Sequence, residues 1–584
     1  MKVHVGNTKT YLEFDEESQG LIDLYEASLM KSTGVRVDGF QFDKRFKLGI
    51  WDGYTHLYDK KTHMIPTGLW EQLDEHSKEF QRSHSNFIYT YLDERGEEYI
   101  AGEDFPEELK VQKGNKEITL YDYQYGAIKE SILNRIGIVK LSTNSGKTYT
   151  SVGIINMLLP YMNDDEKVAY IVPSKNIFEQ AIDTMIEQYG KENVGYLGDG
   201  KSKISKVNVI MMASLYAKLK RPDTGIKLSG AKRESQIFAQ EIYPLFDRST
   251  NLVSNLRNFL RNYNTKGVSY REHIKEGLTS LAYREGITDA KVRLQLNKEK
   301  VKYEKIVEKT IGDKLKTWQM YQDLVKDTTV VILDEAHHAK ADTYYNTLLE
   351  FDNAVYKIAM TGSIDSTDKL MVARLKAIFG KITYEVRNKE MIERGISAKP
   401  TINMINVREP RGLMSKKNFQ DVYAKGIVQN EVRNQIIAGF AYSLVKAGKQ
   451  TLIIVNYMEH GEWLLNKLTE MGVNVAFTNG ELDSQLRTEQ LAQAKLGEVD
   501  VLIATSVLDE GVDISGFRAL IMAGGYKSLR LVLQRIGRVL RRKEDDNTAL
   551  VYDFMDRTNE ILFKHSQERV RIYEDEGFEI KYLN

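Results

Sequence analysis

Residues 136–148 read IGIVKLSTNSGKT, an apolar run followed by a short polar loop. The run predicts a buried strand, and helical periodicity begins near Tyr149. A strand, a loop that ends in Ser145-Gly146-Lys147-Thr148, and then a helix is the arrangement of a phosphate-binding loop. Backbone N–H groups there face the phosphates, the lysine supplies a point charge, and the threonine hydroxyl is suited to coordinate Mg²⁺. The stretch predicts a nucleotide site, although Leu141 stands where the full pattern has glycine.

Comparable apolar runs recur along the chain, separated by helical patterns. Such alternation predicts a parallel sheet flanked by helices. The first set lies at 136–141, 167–173, 207–213, 328–335 and 356–362, and the second at 449–456, 473–480, 499–505, 519–524 and 549–554. We expect an α/β fold with two consecutive parallel-sheet domains, at 113–395 and 396–584.

The first 112 residues have a different pattern, with short alternating stretches and turn signals such as Asp52-Gly53. This pattern predicts a small α+β domain of hairpins with a helix or two. We expect a linker at 113–116, where the sequence reads KGNK.

A stretch of helical periodicity at about 217–327 interrupts the first parallel-sheet domain. It holds 23 Lys and Arg residues against 14 Asp and Glu residues. Such local asymmetry is typical of an arm that binds a polyanion. A solvated helical hairpin explains the same composition, and both interpretations stay open.

The composition of the whole chain excludes several classes of function. Because Lys+Arg and Asp+Glu both total 82, affinity for a polyanion must come from local patches. The absence of cysteine removes disulfides, thiolate metal sites and cysteine nucleophiles. No apolar stretch reaches the length of a membrane span. We expect a soluble protein of the cytoplasm, the host cytoplasm if a phage encodes it.

A second motif supports the nucleotide site. Asp334-Glu335-Ala336-His337 follows the apolar strand VVIL. An acidic pair at the carboxyl end of a parallel strand can hold Mg²⁺ through Asp334 and polarise the attacking water through Glu335. His337 is a candidate for coupling this site to the second domain, and His338 is interpreted as structural. The cofactors that these residues imply are ATP and Mg²⁺.

These motifs, in this order, resemble those of the superfamily 2 helicases, whose core is two RecA-like domains. In that family a glutamine motif such as Tyr123-Gln124 reads adenine, with Tyr121 or Tyr123 available for stacking. Met360-Thr361-Gly362-Ser363 is similar to the motif that links hydrolysis to domain movement, and Ile454-Val455-Asn456 to the fourth motif. The resemblance also implies nucleic-acid contacts by Pro173, Ser174, Lys175 and Thr505, nucleotide contacts by Gln534, Gly511 and Asp513, and γ-phosphate contacts by Arg538 and Arg541.

The N-terminal sequence is similar to that of the phage recombination helicases of the UvsW type. The relevant stretches are 38–42, 45–53 and 65–69. Lysine and arginine interleave there with aromatic residues, which offers charges for phosphates and rings for bases. Phe42 and Phe46 are expected in the core of the small domain. Lys44, Arg45, Lys47 and Trp51 are the candidate DNA contacts.

The resemblance implies an ATP-dependent DNA helicase that remodels forks, junctions, D-loops or R-loops in recombination and replication. The partners that it implies are branched DNA, ATP and other recombination or replication proteins. A duplex translocase of a restriction or defence complex and an RNA helicase are the alternatives. A binding module with a dead nucleotide site is disfavoured, because Lys147, Thr148, Asp334, Glu335 and Arg538 are all present.

Overall fold

A computed structural model describes residues 1–14, 17–100, 105–142, 144–222, 231–246, 251–265, 268–505, 516–525, 528–537 and 547–583. The chain separates into two compact units, one formed by 1–216 with 325–584 and the other by 217–324. Among the helices of the described residues, none is both long enough and apolar enough to cross a bilayer.

The N-terminal region forms a small mixed sheet with helices beside it. Its sheet has the order β5-β2-β1-β6, in which β1 runs parallel to β6 and antiparallel to β2. The strands are β1 Lys2–Val5, β2 Lys9–Glu13, β3 Val35–Arg36, β4 Tyr54–Thr55, β5 Met64–Pro66 and β6 Thr90–Asp93, and the helices are α1 Gln19–Thr33, α2 Lys44–Lys47 and α3 Trp70–Ser83. The predicted α+β character agrees with this arrangement.

The residues predicted as a linker form a hairpin instead. Strands β7 Lys110–Lys113 and β8 Lys116–Thr119 pair antiparallel around Gly114, whose φ of 60° suits a tight turn. Val111 is buried in the core of the first parallel-sheet domain. The polar composition of KGNK is typical of a linker, but the apolar residues beside it pack on the first parallel-sheet domain.

The first parallel-sheet domain has its sheet in the order β12-β11-β13-β10-β14-β15-β9-β16. Its strands are β9 Ile136–Leu141, β10 Lys167–Val172, β11 Val194–Gly198, β12 Lys201–Lys203, β13 Val207–Met211, β14 Thr328–Leu333, β15 Tyr356–Thr361 and β16 Ile382–Val386. Its helices up to the insertion are α4 Asp122–Asn134, α5 Lys147–Leu158, α6 Lys175–Tyr189 and α7 Met212–Leu219. Only β12 pairs antiparallel among the described strands of this sheet.

Residues 217–324 form a helical unit with a core of its own. Buried residues of that core include Phe238, Leu256, Leu278 and Leu296. The helices are α8 Ala231–Ile237, α9 Tyr243–Phe246, α10 Leu252–Asn262, α11 Ser269–Ala282 and α12 Asp289–Lys326, with a π-helical segment at Phe238–Ile242. After it the first parallel-sheet domain continues with α13 Asp342–Leu348, α14 Lys369–Phe379 and α15 Asn388–Glu393.

The second parallel-sheet domain has the order β19-β20-β18-β21-β22-β17-β23, and its described strands all pair parallel. The strands are β17 Lys399–Val407, β18 Thr451–Ile454, β19 Val475–Thr478, β20 Val501–Ala504, β21 Ala519–Met522, β22 Thr548–Asp556 and β23 Glu579–Leu583. The helices are α16 Phe419–Tyr423, α17 Glu431–Lys446, α18 Met458–Glu470, α19 Ser484–Leu496, α20 Leu529–Gly537 and α21 Glu560–Asp575. The predicted fold class, two tandem parallel-sheet domains, is confirmed.

Candidate nucleotide site and nucleic-acid interface

Four predicted motifs meet at one edge of the first parallel sheet. The phosphate loop follows β9, Pro173 follows β10, Asp334 follows β14, and Thr361 ends β15. These strands run parallel, so their carboxyl ends lie at the same edge, where ligands of α/β proteins bind.

The phosphate loop turns into α5 through Gly146. Its φ of 80° belongs to the left-handed region, which glycine adopts without steric cost. A Cβ on Gly146 would stand 2.5 Å from the side-chain nitrogen of Gln124. Glycine is therefore required here for both its backbone conformation and its lack of a side chain. The loop residue Thr143 lies outside the described residues.

Gln124 supports the phosphate loop from behind. Its side-chain nitrogen donates to the carbonyl oxygens of Ser145, at 3.1 Å, and Gly146, at 3.3 Å, while its oxygen accepts from the amide of Tyr121. The hydroxyl of Tyr123 donates to the same Ser145 oxygen, at 3.0 Å. Tyr123 is buried, whereas Tyr121 stacks on it with half of its own surface exposed. Of the two tyrosines, Tyr121 offers the open ring face that the predicted adenine contact needs.

Asp334 is a buried carboxylate with two hydrogen bonds. Its Oδ1 accepts from the backbone N–H of Glu335, and its Oδ2 accepts from the hydroxyl of Tyr170, each at 2.9 Å. Burial and the neighbouring Glu335 raise the pKa of Asp334 to about 6, against the opposing effect of Lys147.

Tyr170 is a site residue that the sequence analysis missed. Its fully buried hydroxyl also lies beside the side chains of Thr148 and Ser151, so it joins the phosphate-loop helix to the acidic motif. The signal was a single hydroxyl-bearing residue in the apolar strand KVAYIV.

Glu335 and Lys147 face each other across the site. Lys147 Nζ lies 3.5 Å from Glu335 Oε1, and both side chains are mostly buried. His337 Nδ1 lies 3.4 Å from the other carboxylate oxygen of Glu335. Glu335 has a φ of 48°, a left-handed conformation that costs energy for a residue with a side chain. The turn into Ala336–Lys340 therefore holds the Glu335 carboxylate towards the lysine at the expense of local strain.

The oxygen donors fit a magnesium ion that binds together with phosphates. Thr148 and Asp334 share Tyr170 as a neighbour, which brings one hydroxyl and one carboxylate to the same place. Within the described part of the chain no three His, Cys, Asp or Glu residues form a metal cluster. Mg²⁺ commonly takes one or two protein oxygens and completes its shell with phosphate and water. The chain therefore supplies the partial ligand set that this ion requires.

The phosphate loop also contacts the second parallel-sheet domain. Asn144 donates from its side chain to the carbonyl oxygen of Gly537, the last residue of α20, at 2.8 Å. Within α20, the buried Arg535 donates to Asn456 at 3.1 Å. Asn456 in turn donates to Tyr423 and to the carbonyl oxygen of Gly524. The end of α20 is thus held against the phosphate loop and the end of β18.

Several predicted residues of the second domain lie outside what the structure describes. They are Gly511, Asp513, Arg538 and Arg541, together with the side chain of Gln534.

The chain is similar to two protein families and to a phage helicase. Residues 117–366 match the family described as type III restriction enzyme, res subunit, and residues 433–543 match the helicase conserved C-terminal domain. The ATP-dependent DNA helicase UvsW of Enterobacteria phage T4 is 22% identical over 598 residues, which cover 97% of each chain.

The chain belongs to the superfamily 2 helicases. It is an ATP-dependent helicase. Another relative, the DNA 3'-5' translocase XPB2 of Sulfurisphaera tokodaii, is 24% identical over 40% of this helicase and 60% of its own length. The crystal structure of T4 UvsW covers 100% of this chain and 99% of its own, at 19% identity and a TM-score of 0.39.

The candidate nucleic-acid contacts of the motor domains differ in their surroundings. Ser174 precedes α6, and its hydroxyl has no hydrogen-bond partner among the described residues. Lys175 is exposed and forms an ion pair with Asp199 at 3.0 Å. Pro173 is half-buried, and Thr505 is buried at the end of β20. Within this group, the Ser174 hydroxyl is therefore available to form a hydrogen bond with a nucleic-acid phosphate.

In the N-terminal domain of the helicase, Arg45 and Trp51 engage each other. The Arg45 guanidinium is paired with Asp43, at 2.8 Å, and lies 4.9 Å from the centre of the Trp51 ring. The Trp51 indole N–H donates to the carbonyl oxygen of Tyr54. Lys44 and Lys47 are exposed on the same short helix.

The prediction that Phe42 is a core residue is wrong, because 75% of its side chain is exposed. Phe46 is half-buried and packs edge-to-face on Phe40. This domain takes its core from α1, α3 and the sheet instead, which leaves the 3₁₀ turn Phe40–Phe42 and α2 at the surface.

The N-terminal domain is fastened to the first motor domain at β15. Lys357, fully buried, donates to the carbonyl oxygen of Asn7 at 2.6 Å and to the hydroxyl of Thr8 at 3.1 Å. Burial lowers the pKa of Lys357 to about 7. A cavity of about 900 Å³ lies between the same two domains, with Phe40 and Arg45 on one side and His337, Asp365 and Arg374 on the other.

Proposed function

We propose that this helicase acts on DNA and unwinds or remodels branched structures such as forks, junctions, D-loops and R-loops in recombination and replication. The observation that carries the proposal is the likeness to a DNA helicase over 97% of both chains, N-terminal domain included. A likeness confined to the two motor domains would not indicate the substrate. That likeness to a phage protein also leads us to propose the host cytoplasm as its location.

At the nucleotide site, Lys147 binds the β- and γ-phosphate oxygens, and the amides after Gly146 bind them from the loop. Thr148 and Asp334 are the residues that would hold Mg²⁺. When bound, Mg²⁺ neutralises charge on the phosphate oxygens. Lys147 leaves Glu335 when it turns to the phosphates, and the freed Glu335 carboxylate then orients and deprotonates the attacking water.

The second motor domain completes the site. We infer that Arg538 and Arg541 reach the γ-phosphate, because Gly537 is bonded to the phosphate loop and Arg538 is the next residue. Arginine suits this role since its planar, permanently charged group stabilises the phosphoryl oxygens during transfer. Gln534, Gly511 and Asp513 are proposed nucleotide contacts in the same cleft.

Closure around ATP and reopening after hydrolysis move the two motor domains along the strand. The phosphodiester backbone of the DNA is contacted by Pro173, Ser174, Lys175 and Thr505. Contacts to this backbone carry no sequence information. The helicase therefore recognises the shape of its DNA. Lys44, Arg45, Lys47 and Trp51 add contacts from the N-terminal domain, and the exposed Phe42 offers a further ring.

The test is steady-state ATP hydrolysis with no nucleic acid, single-stranded DNA, plain duplex, a four-way junction and RNA at equal nucleotide concentration. We expect the strongest stimulation from the junction. Lys147→Ala is the matched control and should abolish turnover while DNA binding stays largely intact. Preference for RNA would identify an RNA helicase, and an equal response to plain duplex would identify a duplex translocase.

A further inference from the structure

One face of α12 in the helical unit carries a row of lysines. The helix is 38 residues long. Spacings of 7, 4, 3, 4 and 7 residues separate the members of the line, and each spacing returns to the same side of an α-helix. The lysine stripe consists of Lys291, Lys298, Lys302, Lys305, Lys309 and Lys316.

All six side chains of the lysine stripe are exposed. Val292 and Leu296, which lie more than a quarter turn away around α12, are buried in the core of the helical unit. Lys302 contacts Glu299 at 3.6 Å, and Lys291 donates to the carbonyl oxygen of Gly286. The other four lysines form no ion pair with any described residue. The stripe is thus on the side of α12 that faces away from its own core.

The charge pattern around Lys298 differs from that of an ordinary solvated helix. Such a helix gains from Glu and Lys placed three or four residues apart, whereas like charges at these spacings cost roughly 0.2–0.5 kcal/mol per pair. In the stripe, Lys298, Lys302 and Lys305 are successive neighbours of like charge. Glu304 and Glu308 lie about a quarter turn or more away from the stripe, whereas Asp313 lies on the stripe side between Lys309 and Lys316. Lys298 has no acidic residue three or four positions away, and lysines outnumber acidic residues along this side of the helix. This local excess of positive charge indicates a negatively charged ligand.

We propose that the lysine stripe of α12 binds the phosphate backbone of duplex DNA. The 25 steps from Lys291 to Lys316 span about 38 Å, close to one turn of the double helix. Duplex DNA is stiff over this length and presents a dense row of charge. A straight row of lysines can therefore bind duplex DNA without the entropy cost of ordering a flexible strand. This inference rests on the proposed function, because it assumes that the substrate is DNA.

The aromatic residues of α12 argue for duplex rather than single-stranded DNA. Sites for single strands place rings among their basic residues so that bases stack on them. On α12, Tyr303 is bonded to Gln240 and Trp318 donates to the carbonyl oxygen of Leu219. Both lie on the other side of the helix from the stripe. The stripe offers charge alone, and lysine acts on phosphate as a point charge.

The experiment compares two triple variants of the full chain, each of which loses three positive charges from α12. Glutamine replaces them because its helix propensity is close to that of lysine, and far-UV circular dichroism checks that the helix content is kept. The dissociation constant for a blunt duplex of about 30 base pairs is measured at salt concentrations between about 50 and about 300 mM, together with that for poly-L-glutamate. The stripe variant is K298Q/K305Q/K309Q, and the control from the opposite face is R293Q/K300Q/K314Q.

We expect the slope of log affinity against log salt to fall by about 2.7 in the stripe variant, since each lost phosphate contact removes about 0.9. The control should keep the parent slope and the parent ATPase rate without DNA. Equal slopes in all three proteins, or an equal fall in both variants, would overturn the assignment. So would an unchanged duplex slope with lost poly-L-glutamate binding, which indicates an acidic protein partner. A parent that binds no DNA at all would instead refute the proposed function, and the inference with it.

Discussion

Removal of the Tyr170 hydroxyl should weaken the use of Mg²⁺ by this helicase. Tyr170→Phe keeps the buried ring and deletes the hydroxyl that donates to Asp334 at 2.9 Å. The same hydroxyl lies beside Thr148, so the substitution changes the surroundings of both residues proposed to hold the ion.

The size of the effect follows from the burial of Asp334. A hydrogen bond to a charged group contributes about 1.5–3 kcal/mol, and its loss leaves a buried carboxylate with one donor fewer. The lower figure corresponds to roughly tenfold in an equilibrium constant. We therefore expect the Mg²⁺ concentration for half-maximal ATPase to rise at least about tenfold. Because the lost bond favoured the charged form, the pKa of Asp334, already raised to about 6, moves further up.

The assay is the initial rate of ATP hydrolysis against Mg²⁺ concentration at two pH values. Activity that needs the Asp334 carboxylate falls as pH drops through its pKa, so the acid limb of the variant should lie at higher pH than that of the parent. Tyr189→Phe is the control, since its buried hydroxyl bonds to Asn156, away from the acidic motif. An unchanged Mg²⁺ requirement and an unchanged acid limb in Tyr170→Phe would refute the role assigned to this hydroxyl.

Two further substitutions test the loop and the domain junction. Gly146→Ala should weaken nucleotide binding about tenfold or more, because a left-handed alanine costs roughly 1–2 kcal/mol and its Cβ meets Gln124. Titration with a fluorescent ATP analogue measures this binding. The control is Gly439→Ala, where a Cβ has open space, and it should bind the analogue like the parent. Burial lowers the pKa of Lys357 from 10.5 to about 7 in the folded protein. Between these two pH values the folded protein has released the lysine proton and the unfolded chain has not, so the free energy of unfolding increases as pH rises. Urea unfolding of the parent relative to Lys357→Met should therefore gain about 2 kcal/mol between pH 7.5 and 9; a difference that does not change with pH would contradict the assigned proton release.

The sequence predicted most of the central fold because buried parallel strands are continuous apolar runs. Each of the ten predicted runs contains a strand, from β9 to β22. Among the described strands of the two parallel-sheet domains, β11, β12, β16, β17 and β23 were missed, and for two of them the sequence pattern gives the reason. β16 lies at a sheet edge with its first four residues partly exposed, and β12 is a three-residue antiparallel edge strand of lysines and serine. Neither position requires the apolar run on which the prediction depended.

The candidate site was predictable where residue type alone determines the chemistry. Lys147, Thr148, Asp334 and Glu335 were predicted because phosphate and Mg²⁺ require these groups at the ends of strands, and the structure brings them together. The support of the site was not predictable, since it depends on which buried side chains meet in space. Gln124 holds the loop backbone, and Tyr170 joins two motifs that lie far apart along the chain.

The strand β15 has a different task at each of its ends. Lys357, near its start, is bonded into the β1–β2 turn of the N-terminal domain, and Thr361, at its end, donates to Ser363 in the motif beside the ATP site. Hydrogen bonds to β14 and β9 prevent the strand from bending between them. Six residues of strand form a rod of about 20 Å. A force applied to the N-terminal domain is therefore transmitted along the axis of β15 to the ATP site.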